Sequence, residues 1–387
     1  MSVTGDWCEQ IVALGSPDVD DRARSAVRRL VLDGLAVAVA GAPEDAVRLL
    51  VAHQETQNSG PGPASVIGHA IRCGTVAAAR INGAAMHVLD FEPMWSPANH
   101  ALSTTLPVVL ALAESIGASG EAATVALLKG IEVQGWLRQA SGQWAAKDLI
   151  FHPPGVVGPL GAAAAAGHLL GLDAGELAHA LGIAASGAGG LLGNVGTMTK
   201  ALHCGAAAAA GCEAALLAAA GFTANPDILD VPQGMAAAFF PGWDPQVLRG
   251  FGPPWRAVEP GFALKLYPSQ YGTHFGITVA RRLHHEIGAT PITAVRLTTP
   301  VMPYVDRPRP ARGLEGKFSL QYTACLALLD GMVRRASFTD QSLARPELQA
   351  LLAMVQLRQD RAIPPNFEAM HVVVEVDLAD GRRLTQR

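Results

Sequence analysis

A chain of 387 residues that is 50% hydrophobic and 16% charged can bury a large core and has room for two domains. Its net charge of −4 argues against nucleic acid or a membrane surface as partner, because both favour a basic face. Five scattered cysteines without a Cys-x-x-Cys pair fit reduced thiols in a cytoplasm. No basic stretch followed by an apolar one opens the sequence, so no secretory leader is expected.

The first two-thirds read as helix after helix. "DDRARSAVRRLVLDGLAVAVAG" has acids in its first turn, an apolar stripe and a glycine stop. "GTVAAARINGAAMHVLDF", "SGEAATVALLKGIEVQGWLRQA", "GVVGPLGAAAAAGHLLGL" and "DAGELAHALGIAASGAGG" follow the same grammar. Their Ala and Gly positions let helix axes approach closely and predict core. The most apolar run, "GAAAAAGCEAALLAAAGF", carries Glu213 and is expected to be a buried helix rather than a membrane span. After about residue 258 the pattern changes. "ITAVRLTTPVMPYV" alternates like a strand, "FSLQYTACLALLDGMV" reads as a helix, and "HVVVEVDLADGRRLTQR" reads as a strand with an Asp-Gly hairpin. The expectation is a mainly α protein: an all-helical domain over 1–258 and a smaller α+β domain over 259–387.

Several motifs are missing. There is no Gly-x-Ser-x-Gly elbow. "GLEGKFS" has glycines too close together for a phosphate loop, and "GAGGLLG" does not complete a dinucleotide fingerprint. The twelve histidines form no His-Glu-x-x-His set, so neither a metal nor an organic cofactor is expected. His284 and His285 lie at a charged helix end and are expected to be solvated.

The polar residues gather in a few places. "LDFEPMWSPANHALSTTLP" puts Asp90, Glu92, Trp95, His100 and three prolines between apolar helices. Lysine is scarce: of 29 basic residues only Lys129, Lys147, Lys200, Lys265 and Lys317 are lysines. A compact ammonium suits proton transfer or carboxylate binding in a tight pocket. Lys200, Lys265 and Lys317 sit in unusual contexts, whereas Lys129 and Lys147 read as ordinary surface residues. Lys200 and His203 share a helix face, as do His87 and Asp90. His152 precedes two prolines at a helix entrance, where backbone N–H groups favour an anion.

"ARINGAAMHVLDFE…HALSTTLPVVLALAE", "FHPPGVVGPLGAAAAAGHLLGL", "GTMTKALHCGAAAAAGCEAALLAAAGFTANPDIL", "LKLYPSQYGTH" and "DRPRPARGLEGKFSLQYTACLALLDG" resemble, in order, the signature segments of the MmgE/PrpD family. The resemblance covers nearly the whole chain. It implies a helical domain with an α+β lid, a homodimer, a small carboxylate substrate, and a site without metal or organic cofactor. It places the catalytic positions on Asp90, His100, His152, Lys200 and Tyr322. Substrate-binding positions fall on Lys200, Lys265, His203, His274, Gln270 and Met94.

The departures from the family pattern all remove polarity. Asp90-Phe91-Glu92-Pro93-Met94 replaces a common Asp-Phe-Asp-Asp-Thr. Ala201 and Ala206 stand where relatives often carry arginines, and Gln270 stands where the decarboxylase branch places a histidine. Relatives also usually continue past the point where this sequence stops, back into the helical domain. The pocket is expected to suit fewer carboxylates than a tricarboxylate has. Family reactions labilise a bond next to a carboxylate, which needs cations, one base and one acid. The leading expectation is a dehydratase acting on a hydroxy acid, with a decarboxylase of an unsaturated acid second and an epimerase third. A non-catalytic binding homologue is the alternative outside enzymes.

Overall fold

The computed structural model describes residues 2–57, 60–144, 149–365 and 369–387; Lys147 therefore lies outside the described residues. The chain divides into two compact units, residues 1–194 with 198–264, and residues 195–197 with 265–387. The division falls six residues beyond the expected boundary. The short segment 195–197 joins the second unit, where Arg307 donates to the Val195 carbonyl at 3.3 Å.

The first unit is helical: α1 (Val3–Ala13), α2 (Asp21–Gly41), α3 (Asp45–Thr56), a two-residue ribbon of β1 (Ala64–Ser65) and β2 (Arg72–Cys73), α4 (Thr75–His87), α5 (Ala101–Ile116), α6 (Gly120–Ala140), α7 (Pro153–Leu170), α8 (Ala174–Ser186), α9 (Thr199–Ala219) and α10 (Met235–Phe239). The ends follow local chemistry. Asp20, Ser119 and Asp173 cap α2, α6 and α8 with side-chain oxygens. Gly117 and Gly171 stop α5 and α7 in left-handed conformation. Helices α7 and α9 pack side by side, with α4, α5, α6 and α8 around them.

The small residues set that spacing. In α9, a Cβ on Gly211 would meet the Pro159 carbonyl oxygen at 2.3 Å and the Ala162 Cβ at 2.4 Å. Only a missing side chain permits this approach. Helix α9 is long and apolar enough to cross a membrane by length and composition, yet 61% of its most apolar stretch is buried within the unit, as the sequence predicted for a core helix.

The second unit holds α11 (Tyr271–Ile287), β3 (Ile292–Thr299), α12 (Gly313–Gly316), α13 (Leu320–Asp330), α14 (Asp340–Leu343), α15 (Pro346–Ala353), β4 (Val355–Gln359), β5 (Val373–Leu378) and β6 (Arg383–Gln386). The sheet order is β4-β3-β5-β6. Strand β3 runs parallel to β4 and antiparallel to β5. The β5–β6 hairpin turns at Gly381, whose φ of 88° suits glycine. Val295, Leu297, Val374 and Val376 face the core with Ile277, Ala280 and Leu283 of α11. The mainly α class with a smaller α+β part is thus present. The segment giving α15 and β4 had no sequence assignment. Its strand is an edge with only partly buried or exposed positions, so its pattern is weak.

If the α7–α9 approach carries the packing, Gly211→Ala costs about 1–3 kcal/mol, read as a lower urea midpoint. The control is Gly120→Ala, where a Cβ meets nothing within 4 Å; it should leave the midpoint unchanged or raise it slightly.

Candidate active site

The loop between α4 and α5 is held from several sides. Trp95 stacks on Phe262 with centroids 4.3 Å apart, and the Arg256 guanidinium lies 5.4 Å over its ring. A Cβ on Gly135 would meet the Trp95 ring at 2.3 Å, so α6 needs glycine where the indole wedges in. Asn99 donates to Gln134 at 3.1 Å. Met94 is buried and exchanges backbone hydrogen bonds with Ala263 at 3.1 and 2.8 Å.

This clamp presents two acids. The Asp90 N–H donates to the His87 carbonyl at 2.8 Å, and its φ of 50° makes it the single non-glycine with positive φ among the described residues. Aspartate tolerates that region better than most residues, and such outliers concentrate at functional sites. The turn aims the carboxylate at Lys200, 3.3 Å from Oδ2, and towards His100, 3.8 Å from Oδ1. Glu92 is fully buried. One of its oxygens accepts the Ser103 N–H at 2.8 Å; the other contacts His87 Nδ1 and lies 3.6 Å from His100 Nδ1.

Lys200, in the first turn of α9, completes a chain of contacts. Its ammonium donates to His87 Nε2 at 2.9 Å. His87 therefore carries its proton on Nδ1 and donates it to Glu92, a tautomer assigned from the network. Burial, and next the Lys200 charge, hold His87 well below the usual imidazole range; burial and Lys200 act in the same order on His152. His152 precedes α7, is buried, and stands 3.4 Å from His203, Nδ1 to Nδ1. Rings of His87, His100 and His152 are 4.8 to 6.2 Å apart. Burial, then Lys200, lowers His203 as well.

The predicted residues Asp90, His100, His152, Lys200 and His203 thus come together in the first unit. Sequence reading left His87 as a neighbour of Asp90 and treated Glu92 as a departure; the structure makes both central. Their signal was present: an imidazole ending one helix and an acid five residues on.

Met94 lies in the first unit too, within the clamp around Trp95, and the other predicted residues lie in the second unit. Lys265 donates to the Ser269 carbonyl at 3.2 Å, and His274 Nε2 reaches the same oxygen at 3.3 Å. Gln270 precedes α11 and its amide oxygen accepts the Gly272 N–H at 2.5 Å, so that side chain works as a helix cap. Tyr322 is fully buried, and its hydroxyl donates to the Ser337 carbonyl at 2.6 Å. That phenol is committed within the core of its unit. All four described lysines are buried, including Lys317 at 3% and Lys129 at 2% exposure. Lys129 is therefore not the surface residue that its place in α6 suggested. His284 is also corrected: its Nδ1 hydrogen-bonds the Leu328 carbonyl at 2.8 Å, whereas His285 is exposed.

Two trios, His87–His152–Cys204 and His87–Glu92–His100, have ligand atoms close enough to share a cation. Both depend on His87, whose Nε2 already faces an ammonium and whose Nδ1 faces Glu92. Burial also holds the Cys204 thiol protonated, its pKa well above the usual value.

Models of the MmgE/PrpD N-terminal and C-terminal domains match residues 6–248 and 267–387. The chain belongs to the MmgE/PrpD family. It is 34% identical over 399 residues to cis-aconitate decarboxylase of Homo sapiens, covering all of this chain and 82% of that protein. The Mus musculus protein of that name is 34% identical over 403 residues with the same coverage. The Aspergillus terreus protein of that name is 26% identical over 421 residues, covering 99% of this chain and 84% of its own length. By their names these relatives are carbon–carbon lyases.

The neutral buried histidines tie stability to pH. A depressed folded-state pKa means the unfolded chain binds more protons as pH falls through about 6.5. The contribution of His87 and His152 is therefore full above that value and is lost towards their folded pKa. Urea unfolding at pH 7 and pH 5 should show lower stability at pH 5, and His152→Gln should shrink the difference. An unchanged difference in that variant would count against a neutral buried His152.

Proposed function

We propose that the chain is a cofactor-independent lyase that decarboxylates a small unsaturated carboxylic acid related to cis-aconitate. The observation carrying this is the Lys200 ammonium, held by Asp90 and His87 beside His100, in a chain similar along its length to decarboxylases. Sequence reading put dehydration first; the names of the relatives favour decarboxylation, which it put second.

The chemistry needs few parts. When a carboxylate leaves as carbon dioxide from a carbon next to a double bond, its electron pair moves through that bond towards a second carboxylate. The charge must be stabilised there, and the far carbon must receive a proton. Lys200 supplies a cation for the retained carboxylate, in a setting where low dielectric strengthens the attraction. His100, with Asp90 facing Nε2 and Glu92 facing Nδ1, is placed to be protonated and to deliver the proton. His152, held neutral, serves as a hydrogen-bond partner. Met94 lacks a hydroxyl, so we expect two substrate carboxylates to be preferred to three.

The test incubates the protein with cis-aconitate, glutaconate and a set of 2-hydroxy acids, following products by mass spectrometry. Carbon dioxide released from either unsaturated acid supports the reading. Loss of water from a hydroxy acid alone overturns it in favour of a dehydratase. Deuterium wash-in alone would indicate an epimerase, and no change in any compound would indicate a binding protein.

Two substitutions should fail differently on the identified substrate. His100→Gln should bind it nearly as well as the parent while kcat falls by a factor on the order of 10² to 10⁴. Lys200→Ala should weaken binding and turnover together, because it removes charge stabilisation from ground and transition states alike. A folded His100→Gln variant with parental kcat rules out the proton-transfer role.

A further inference from the structure

One buried cation has no part in the site above. Lys129 lies midway along α6, 2% exposed, at a cavity of about 250 Å³. Its Nζ reaches the Val12 carbonyl at 3.5 Å and His168 Nδ1 at 3.3 Å. No carboxylate of the described residues is within ion-pair distance, and Asp18 acts on it only from further away. Burial lowers Lys129 to about 8, so the ammonium still dominates at neutral pH. Burial, then the Lys129 charge, lowers His168 to about 4, so that imidazole is neutral. Accepting from Lys129 on Nδ1 leaves His168 with Nε2–H as a donor.

The cavity thus has one polar end and otherwise apolar walls, among them Ile11, Ala164, Leu172 and Leu177. A buried charge without a counter-charge is unfavourable and is relieved by an anion. A metal cation is repelled by the ammonium. A phosphate needs more donors than one ammonium and one imidazole, and its remaining oxygens would face hydrocarbon. The Val12 carbonyl near the end of α1 brings partial negative charge, which is smaller than the unit charge beside it. What fits is one carboxylate on a short hydrocarbon chain.

We propose that this cavity binds a short aliphatic monocarboxylate, with its carboxylate on Lys129 and its chain against Leu172 and Leu177. The site is built from α1, α6, α7 and α8 and shares no residue with the Lys200 cluster. It does not depend on the lyase reading.

Hexanoate is the probe, titrated calorimetrically into the full chain, with 1-hexanol and hexylammonium as controls. Hexanoate should bind saturably, and at least about tenfold more tightly than either control. Lys129→Met should abolish that binding while leaving turnover of the lyase substrate unchanged, and Lys200→Ala should keep hexanoate affinity within about twofold. Leu177→Trp, which fills the cavity and keeps the ammonium, should weaken hexanoate at least about tenfold and serves if Lys129→Met does not fold. No heat with hexanoate, equal affinity for hexanol, or binding lost in Lys200→Ala but kept in Lys129→Met overturns the proposal. Absence of lyase activity in the parent chain leaves it standing.

Discussion

The ammonium of Lys200, shared between Asp90 and His87 with Glu92 behind the imidazole, is the constraint on which the site depends. A lysine 8% exposed is stable only where carboxylates and acceptors converge on it. Asp90 accepts a left-handed backbone to do so. Glu92 sits at zero exposure because it receives the Ser103 N–H and faces His87. The ends of α4, α5 and α9 are thereby locked to one another through charge, where the rest of the unit is held by apolar contact.

That apolar contact makes the charge cluster possible. Alanine and glycine bring α7 and α9 close enough for backbone and Cβ to touch, leaving little filler between them. In such a medium each hydrogen bond and ion pair is stronger than in water, and each unpaired group costs more. The same medium explains the lysines. A chain whose surface cation is arginine has placed its four described ammoniums inside, where a compact charge can be gripped from several sides.

The distribution of acids separates the two kinds of buried charge. Glu132 in α6 is pushed up to about 7 by burial and satisfied by the Ala257 and Trp136 N–H groups. It fastens the segment after residue 255 to the helical unit, and the Arg256 charge acts on it only after burial and the backbone N–H groups. Asp90 and Glu92 instead face histidines and a lysine. A carboxylate matched to backbone donors supports structure, whereas carboxylates matched to titratable groups can exchange protons with them.

Much of this was legible in the sequence. Periodicity gave the helices, alternation gave β3 and β5, and the crowding of acid, imidazole and proline in residues 89–107 marked one wall of the candidate cluster, because each depends on neighbours along the chain. Lysine scarcity and Pro-marked helix ends singled out Lys200, His203 and His152, and resemblance to the family joined them to Asp90 and His100. Tertiary structure alone decided three further matters. His87 became a central group because three elements converge on it. Tyr322 and Gln270 turned their polar atoms to a backbone carbonyl and a helix end, partners that no spacing reveals. Lys129, read in sequence as an ordinary surface side chain, was buried by α1 and α7 closing over it. Local pattern fixes which residues share a face; which faces are covered depends on segments over a hundred residues away.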